Sequence, residues 1–330
     1  MFQQISRKIR EHLAAFPTQD QLIFNNKFIP VDPQNFQLIR PPPAFLPFTL
    51  PPTLAFLDGG QAEILNDGNF CLSFIRVADQ LFQGEKKKEL IKHEFYLFTR
   101  AAWKEKELFY ESSLFPLHPE KLMKKALMEE PLMKEADLTL SSYDSSLKIG
   151  KERAPPARVA SLARRFAELA LAAQVKADFI LLDGTLEGTF TNEETYLSPL
   201  PENVSALAKT SSLFTIAGNN PLLLLNKIAP AGCWSYLLDD KTYFVKLHPQ
   251  AKHVFRFEGN KEVLPFLVEQ SKDAVFLGYP YGLIFVDKLA RVSNAERDAL
   301  RMNFLLRKEN KEILDYLNAS NAHEILDRLG

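Results

Sequence analysis

The chain predicts an α/β fold, and two observations carry the prediction. Two short apolar runs, Leu54-Ala55-Phe56-Leu57 and Phe179-Ile180-Leu181-Leu182, each close on an aspartate followed by glycine (Asp58-Gly59-Gly60 and Asp183-Gly184) and read as buried strands. Between them, residues 157–175 place Val159, Leu162, Phe166, Leu169 and Ala173 at three- and four-residue spacing. That is the core stripe of a helix, and Pro155-Pro156 marks its start. At 330 residues and 46% hydrophobic, the chain can bury one large core or two modest ones.

Taken in order, residues 1–18 alternate apolar and basic positions, as a short amphipathic helix would. Pro41-Pro42-Pro43 and Pro51-Pro52 bracket an extended segment, so residues 1–50 form an N-terminal part of helix and proline-rich chain. A main domain follows over 51–300. Leu54 to Leu81 reads as strand, turn, strand, with Asn66-Asp67-Gly68-Asn69 as the hairpin signal, so the first aspartate strand opens an antiparallel meander. Residues 85–135 are rich in lysine and glutamate and read as an insertion of helices with one hairpin, Phe95–Arg100 against Leu108–Glu111; its outer limit is about residue 150. Further on, Trp234–Leu238, Thr242–His248 and His253–Phe257 read as strands, Glu262–Ser271 as a helix and Ala274–Leu277 as a strand. A long helix begins near Ala295, and residues 301–330 form its C-terminal part.

Composition narrows the function. Forty basic and 41 acidic residues give a net charge of −1, so no global field draws the chain to nucleic acid or membrane. A localised basic groove remains compatible with that total. Cys71 and Cys233 stand far apart and make neither a disulfide framework nor a zinc motif, which fits a reducing cytoplasm. The first ten residues hold no uninterrupted apolar stretch of the signal-peptide kind, and runs such as Pro221 to Leu225 are too short to span a bilayer. There is no glycine-rich phosphate loop ending in Lys-Ser/Thr, no Gly-x-Ser-x-Gly and no paired-histidine zinc motif.

The aspartates suggest chemistry. A carboxylate at the end of a buried strand leaves the dry core where it can face solvent or a cation. Two such strands side by side would bring two carboxylates within reach of one divalent metal, as metal-assisted phosphodiester hydrolysis needs. Hard cations such as Mg²⁺ and Mn²⁺ prefer carboxylate oxygens. Asp-Gly pairs also start ordinary turns, so the reading depends on the rest of the chain.

Four pieces, in order, carry a resemblance to the NurA nuclease family: Phe56-Leu57-Asp58-Gly59-Gly60, Leu182-Asp183-Gly184-Thr185-Leu186, Ala208-Lys209-Thr210-Ser211 and Gly278-Tyr279-Pro280-Tyr281, the last running on to Asp287-Lys288-Leu289-Ala290-Arg291. The match covers roughly residues 50 to 300. It implies an RNase H-like core, a mixed sheet flanked by helices that carries acidic residues on adjacent strands. It also implies an enzyme, a manganese- or magnesium-dependent DNA nuclease with 5′-to-3′ exonuclease and single-strand endonuclease activity. Members work as homodimers on a hexameric HerA-type ATPase that translocates DNA during end resection and repair.

Carried onto this sequence, the resemblance makes Asp58 and Asp183 the central ligands of two ions about 4 Å apart, with Asp58 bridging them. Glu168 matches the family's acidic residue between the two aspartates; its other reading is a surface glutamate, and Glu94, Glu107 and Glu111 are alternatives. Asp287 stands where the family places a late metal-site residue, often histidine; otherwise it caps a helix or pairs with Arg291. Lys209 is expected near the scissile phosphate, or else as a solvated lysine. Tyr279 and Tyr281 would stack on a displaced base or pack around Pro280, and Arg76, Arg164 and Arg165 would contact phosphates or lie on the surface. The proline-rich N-terminal part or the C-terminal helix would help dock the ATPase. Two other functions stay open: a non-catalytic DNA- or partner-binding subunit of this fold, and an RNase H-like nuclease of another lineage.

Overall fold

The computed structural model describes residues 1–14, 20–42, 50–117, 132–148, 150–210 and 213–320. The first elements are α1 (Phe2–Ala14), β1 (Gln21–Phe24), β2 (Lys27–Pro30), β3 (Phe36–Leu38), β4 (Thr53–Asn66), β5 (Phe70–Gln83), β6 (Lys86–Lys104) and β7 (Glu107–Leu117). Then come β8 (Leu140–Ser141), α2 (Arg158–Ala172), β9 (Phe179–Asp183), α3 (Glu194–Leu197), β10 (Val204–Ala208) and α4 (Pro221–Ile228). The last are β11 (Trp234–Asp239), β12 (Thr242–Lys246), β13 (Phe255–Glu258), α5 (Leu264–Gln270), α6 (Tyr281–Ala290), α7 (Asn294–Leu305) and α8 (Lys311–Ser320). The chain forms two compact units. One comprises Met1–Pro51, Asp183–Leu186 and Glu202–Tyr281; the other comprises Pro52–Leu182, Glu187–Pro201 and Gly282–Gly330.

In the first unit β3, β11, β12, β13 and β10 follow one another in an antiparallel sheet, and β1 pairs with β2 as a separate hairpin. Its core gathers Leu22, Leu225, Trp234, Tyr236 and Phe244.

The second unit is built on the meander β4-β5-β6-β7-β8, with β9 parallel to β4 on its other side. Parallel and antiparallel pairings share one sheet, and helices flank it, which is the expected α/β architecture. The β4–β9 register runs from Leu54 opposite Phe179 to Leu57 opposite Leu182. The hairpin signal is used as read: Gly68 takes φ 87°, and Asp67 Oδ1 accepts from the amides of Asn69 and Phe70. The stripe on α2 is buried at Val159, Leu162, Phe166 and Leu169. On another cluster, Leu305 of α7 and Leu317 of α8 pack with Ile64, Leu72 and Phe74 of the sheet.

Several expectations are corrected. Asp58 does not close its strand; β4 continues through Gly59 and Gly60 to Asn66. Where helices were expected in the insertion, residues 86–117 form one long hairpin, because Phe95, Leu97 and Thr99 are buried in alternation despite the charged residues around them. The Phe95–Arg100 and Leu108–Glu111 strands are found within it, and Lys104-Glu105-Lys106-Glu107 makes its turn. Residues 274–277 form a 3-10 turn instead of a strand: Asp273 accepts from the Val275 amide, and Leu277 (φ 58°) and Gly278 (φ 83°) reverse the chain. The long C-terminal helix is two, since the chain leaves α7 at Leu306 and Asn310 caps the Phe304 carbonyl. Residues 15–18 of the N-terminal helix, Pro43–Thr49 of the proline-rich segment, residues 118–131 of the insertion, Ser211 and the helix end 321–330 lie outside the described residues.

The β5–β6 ladder is irregular between Gln80 and Phe82, and two side chains repair it. Gln80 Nε2 donates to the Leu81 and Glu89 carbonyls. Asp79, only 2% exposed, turns its carboxylate toward the Ile91 amide. Burial, reinforced by the charge of Glu89, pushes its pKa from the ordinary 3.8 up to about 7. Between those two values the folded chain holds a proton that the unfolded chain has lost, so stability falls as pH rises from about 4 through about 7. Asp79→Asn keeps the shape without the charge. It should flatten this slope and leave the variant the more stable protein at pH 8, as urea midpoints at pH 5 and pH 8 would show; parallel slopes would refute the assignment.

Candidate active site

Successive strand residues face opposite sides, so Gly59 and Gly60 present opposite faces of β4. A Cβ on Gly59 would lie 2.4 Å from Glu168 Oε1 and 2.8 Å from Arg164 Cγ, both on α2. A Cβ on Gly60 would lie 2.1 Å from the Ala290 carbonyl oxygen on α6. At the other end of α6, a Cβ on Gly282 would lie 2.3 Å from the Phe56 ring. Gly282 to Ala290 is about 12 Å of helix rise, and Phe56 to Gly60 about 13 Å of strand. The helix therefore runs along β4 from Phe56 to Gly60. Asp58 shares this face and lies under the middle of α6, the stretch that carries Val286 and Asp287.

The Gly59 backbone is held at two points. Asp58 Oδ1 accepts from the Gly59 amide at 2.7 Å, and Arg164 Nη1 donates to the Gly59 carbonyl at 2.9 Å. Glu168 occupies the space a side chain would fill. It is 5% exposed, so the surface reading of this residue is wrong, and Arg164 Nε stands 3.7 Å from its Oε1 one turn earlier on α2. A buried carboxylate needs such a partner, because desolvation penalises its charge. The two carboxylates named from the sequence lie on opposite faces of β4, Asp58 with Gly60 toward α6 and Glu168 on α2 against Gly59, a packing the sequence reading did not foresee. The available signal was the glycine pair inside a strand, which marks close approach.

The other acidic candidates of this unit have basic or hydroxyl partners. Asp287 Oδ2 accepts from Arg291 Nη2 at 2.6 Å, the pairing weighed as its alternative role. Glu94 and Glu296 both pair with Arg76, Glu107 accepts from Ser141, and Glu111 pairs with Arg100 and Lys104. Arg165 pairs with the buried Glu193, which also caps the Thr189 and Phe190 amides. Arg76 and Arg165 are thus largely enclosed by their own ion pairs.

In the first unit, Asp183 Oδ2 accepts from Lys209 Nζ at 2.6 Å. Lys209 also stands 5.1 Å over the Tyr279 ring. Tyr279 is buried against Phe255 and donates its hydroxyl to the Leu207 carbonyl. Tyr281 is half-buried, its ring 6.0 Å from Phe276.

The donors that approach Gly59 are hard carboxylate oxygens, the chemistry Mg²⁺ and Mn²⁺ prefer. Mg²⁺ commonly uses one or two carboxylates together with water and substrate phosphate. Asp58 fits such a site on the α6 face of β4, beneath the stretch of helix that carries Asp287, and Glu168 lies on the other face. Among the described residues, no three His, Cys, Asp or Glu side chains are arranged to hold an ion. Among them, too, no helix is long and apolar enough to cross a membrane.

No family model and no curated protein matches the chain. Solved structures similar to it include a single-residue variant of Ciona intestinalis Endonuclease V in complex with a 23mer DNA containing an inosine followed by a ribo-adenosine. That likeness has a TM-score of 0.40 and 10% identity over 80% of this chain and 92% of the other. The catalytic domain of human Endonuclease V is similar with a TM-score of 0.37 and 9% identity, over 78% and 85% of the two chains. Likeness this distant assigns neither a family nor an activity.

The two glycines differ in what they lie against. Gly60→Ala drives a methyl into backbone and should cost about 1–3 kcal/mol in urea unfolding. Gly59→Ala meets chiefly the end of a glutamate side chain, which can swing away, so its cost should be smaller. Equal costs would contradict the close approach of α6.

Proposed function

We propose that the chain is a metal-dependent DNA nuclease of the NurA type, working in the cytoplasm as a homodimer with a HerA-type hexameric ATPase. The observation that carries the proposal is Asp58, set within a fixed strand with its Oδ1 on the Gly59 amide, beneath the stretch of α6 that carries Asp287. The four ordered sequence pieces add the DNA-end role and the partner. The catalytic assignments extend to Asp183, Lys209 and Asp287 as residues needed for cleavage.

Asp58 would hold the divalent ion on the α6 face of β4, while on the opposite face Arg164 orients Glu168 and fixes the strand through the Gly59 carbonyl. Such an ion supplies Lewis-acid activation of water and neutralises phosphate charge. Lys209, its ammonium held by Asp183 over the Tyr279 ring, offers a positioned cation to a phosphate oxygen. Asp287, tied to Arg291, presents a carboxylate from α6.

A second reading, a DNA-binding subunit of this fold without metal chemistry, draws on the ion pairs. Asp183 and Asp287 each hold a basic partner at 2.6 Å, as structural carboxylates do.

The test is cleavage of end-labelled single- and double-stranded DNA in Mn²⁺, Mg²⁺ or EDTA, with and without the ATPase. Wild type should cut only with metal, and Asp58→Ala and Asp183→Ala should fall to background while melting near wild type. Cutting that survives EDTA or Asp58→Ala would overturn the metal mechanism. No cutting under any metal with the ATPase present would leave the binding subunit. Sedimentation should show a dimer that shifts on adding the ATPase, and a monomer unmoved by it would remove the partner assignment.

A further inference from the structure

The second unit carries a cavity that the proposed catalytic residues do not use. The tip of the β6–β7 hairpin meets the β4–β5 turn, where the Ala101 amide donates to the Asn69 carbonyl at 2.7 Å. With the segment before α2, these tips enclose about 840 Å³ lined by Asn66, Asn69, Trp103, Tyr110 and Arg153 among others. Trp103 is 66% exposed. The Arg153 guanidinium stands 5.8 Å from the Trp103 ring centroid and 5.6 Å from that of Tyr143, and its Nε donates to the Tyr143 hydroxyl.

The lining has a defined chemistry. A large open ring held by a cation is a stacking platform for any planar base, because every base offers a π-face. No carboxylate among the described residues pairs with Arg153, so its remaining N–H groups can meet a phosphate. The acidic residues of the wall already have partners: Glu63 holds the Asn66 amide, and Asp67 caps the turn. The Asn66 side chain is engaged at both ends, by Glu63 and by the Gly68 amide, so the cavity offers stacking and a cation and not a base-edge reader. Arg153 lies just before the proline pair that starts α2, the helix that carries Glu168.

We propose that this cavity receives an unpaired base of single-stranded DNA, stacked on Trp103 with Arg153 at its phosphate. The choice of DNA rests on the nuclease reading above.

Trp103 and Trp234 are the two tryptophans of the chain, and Trp234 is 0% exposed, so the emission that responds to a ligand reports on Trp103. Wild-type protein titrated in EDTA with a dT 12-mer should show quenched emission. Trp103→Phe should lose the quench, and both Trp103→Phe and Arg153→Ala should bind the labelled strand about tenfold more weakly by anisotropy. Strand binding without a quench, or unchanged affinity in both variants, overturns the proposal. So does equal quenching by dTMP, which would make the cavity a mononucleotide site, or tighter binding of a U 12-mer, which would make the strand RNA. Wild-type cleavage scored in parallel, with metal and the ATPase present, separates the two readings. Cleavage without a quench sinks the cavity alone, whereas a quench without cleavage supports the cavity and sinks the nuclease alone.

Discussion

The second unit depends on a strand that gives up its side chains where two helices meet it. At Gly59 and Gly60, β4 lets α2 and α6 approach its two faces to distances that no Cβ would permit. Glycine in a strand interior costs entropy and packing area, and it persists where something else must occupy that space. Here one face admits a glutamate carboxylate and the other a helix backbone. Gly282 makes the reciprocal allowance at the start of α6, where its missing side chain leaves room for Phe56. The seating of Glu168 against β4 follows from the first of these contacts.

Charge is handled by pairing inside each unit. Arg76 is half-buried between Glu94 and Glu296, Arg165 pairs with Glu193, and Arg256 with Glu258, so few charges are left in low dielectric without an opposite neighbour. Breaking one of these pairs leaves an uncompensated buried charge, which is why they hold geometry so firmly. Arg164 differs in kind. It divides itself between a carboxylate and a backbone carbonyl, so it links the ionic state of Glu168 to the position of the strand.

Much of the fold was legible because it rests on local patterns. The α2 stripe, the Asn66–Asn69 turn and the three strands between Trp234 and Glu258 each announce themselves by period or by turn chemistry. The β6–β7 hairpin was hidden because its buried positions alternate beneath lysines and glutamates that suit a helix equally well. The run 274–277 misled for the opposite reason: four apolar residues satisfy a strand pattern, but Asp273 and two positive φ angles decide the chain direction. For the candidate site, residue types were readable and their environments were not. The burial of Glu168 is set by Gly59, more than a hundred positions away in the chain, and a single sequence states no such pairing.

The mid-strand position of Asp58 changes the physical picture of its carboxylate. A residue at a strand end faces water by default, and any order in its side chain must come from a ligand. Within a strand, the backbone on both sides is fixed by β5, with Asp58 opposite Ala78 and Gly59 opposite Val77. The carboxylate then starts from a defined rotamer, held by the Gly59 amide, under a helix whose position is itself fixed by Gly60. Preorganisation of this kind removes the entropy that a flexible acid would lose on gripping a cation or a substrate. The long strand continuing to Asn66 would give the proposed site this rigidity, and the same continuation carries the chain to the turn that borders the Trp103 cavity.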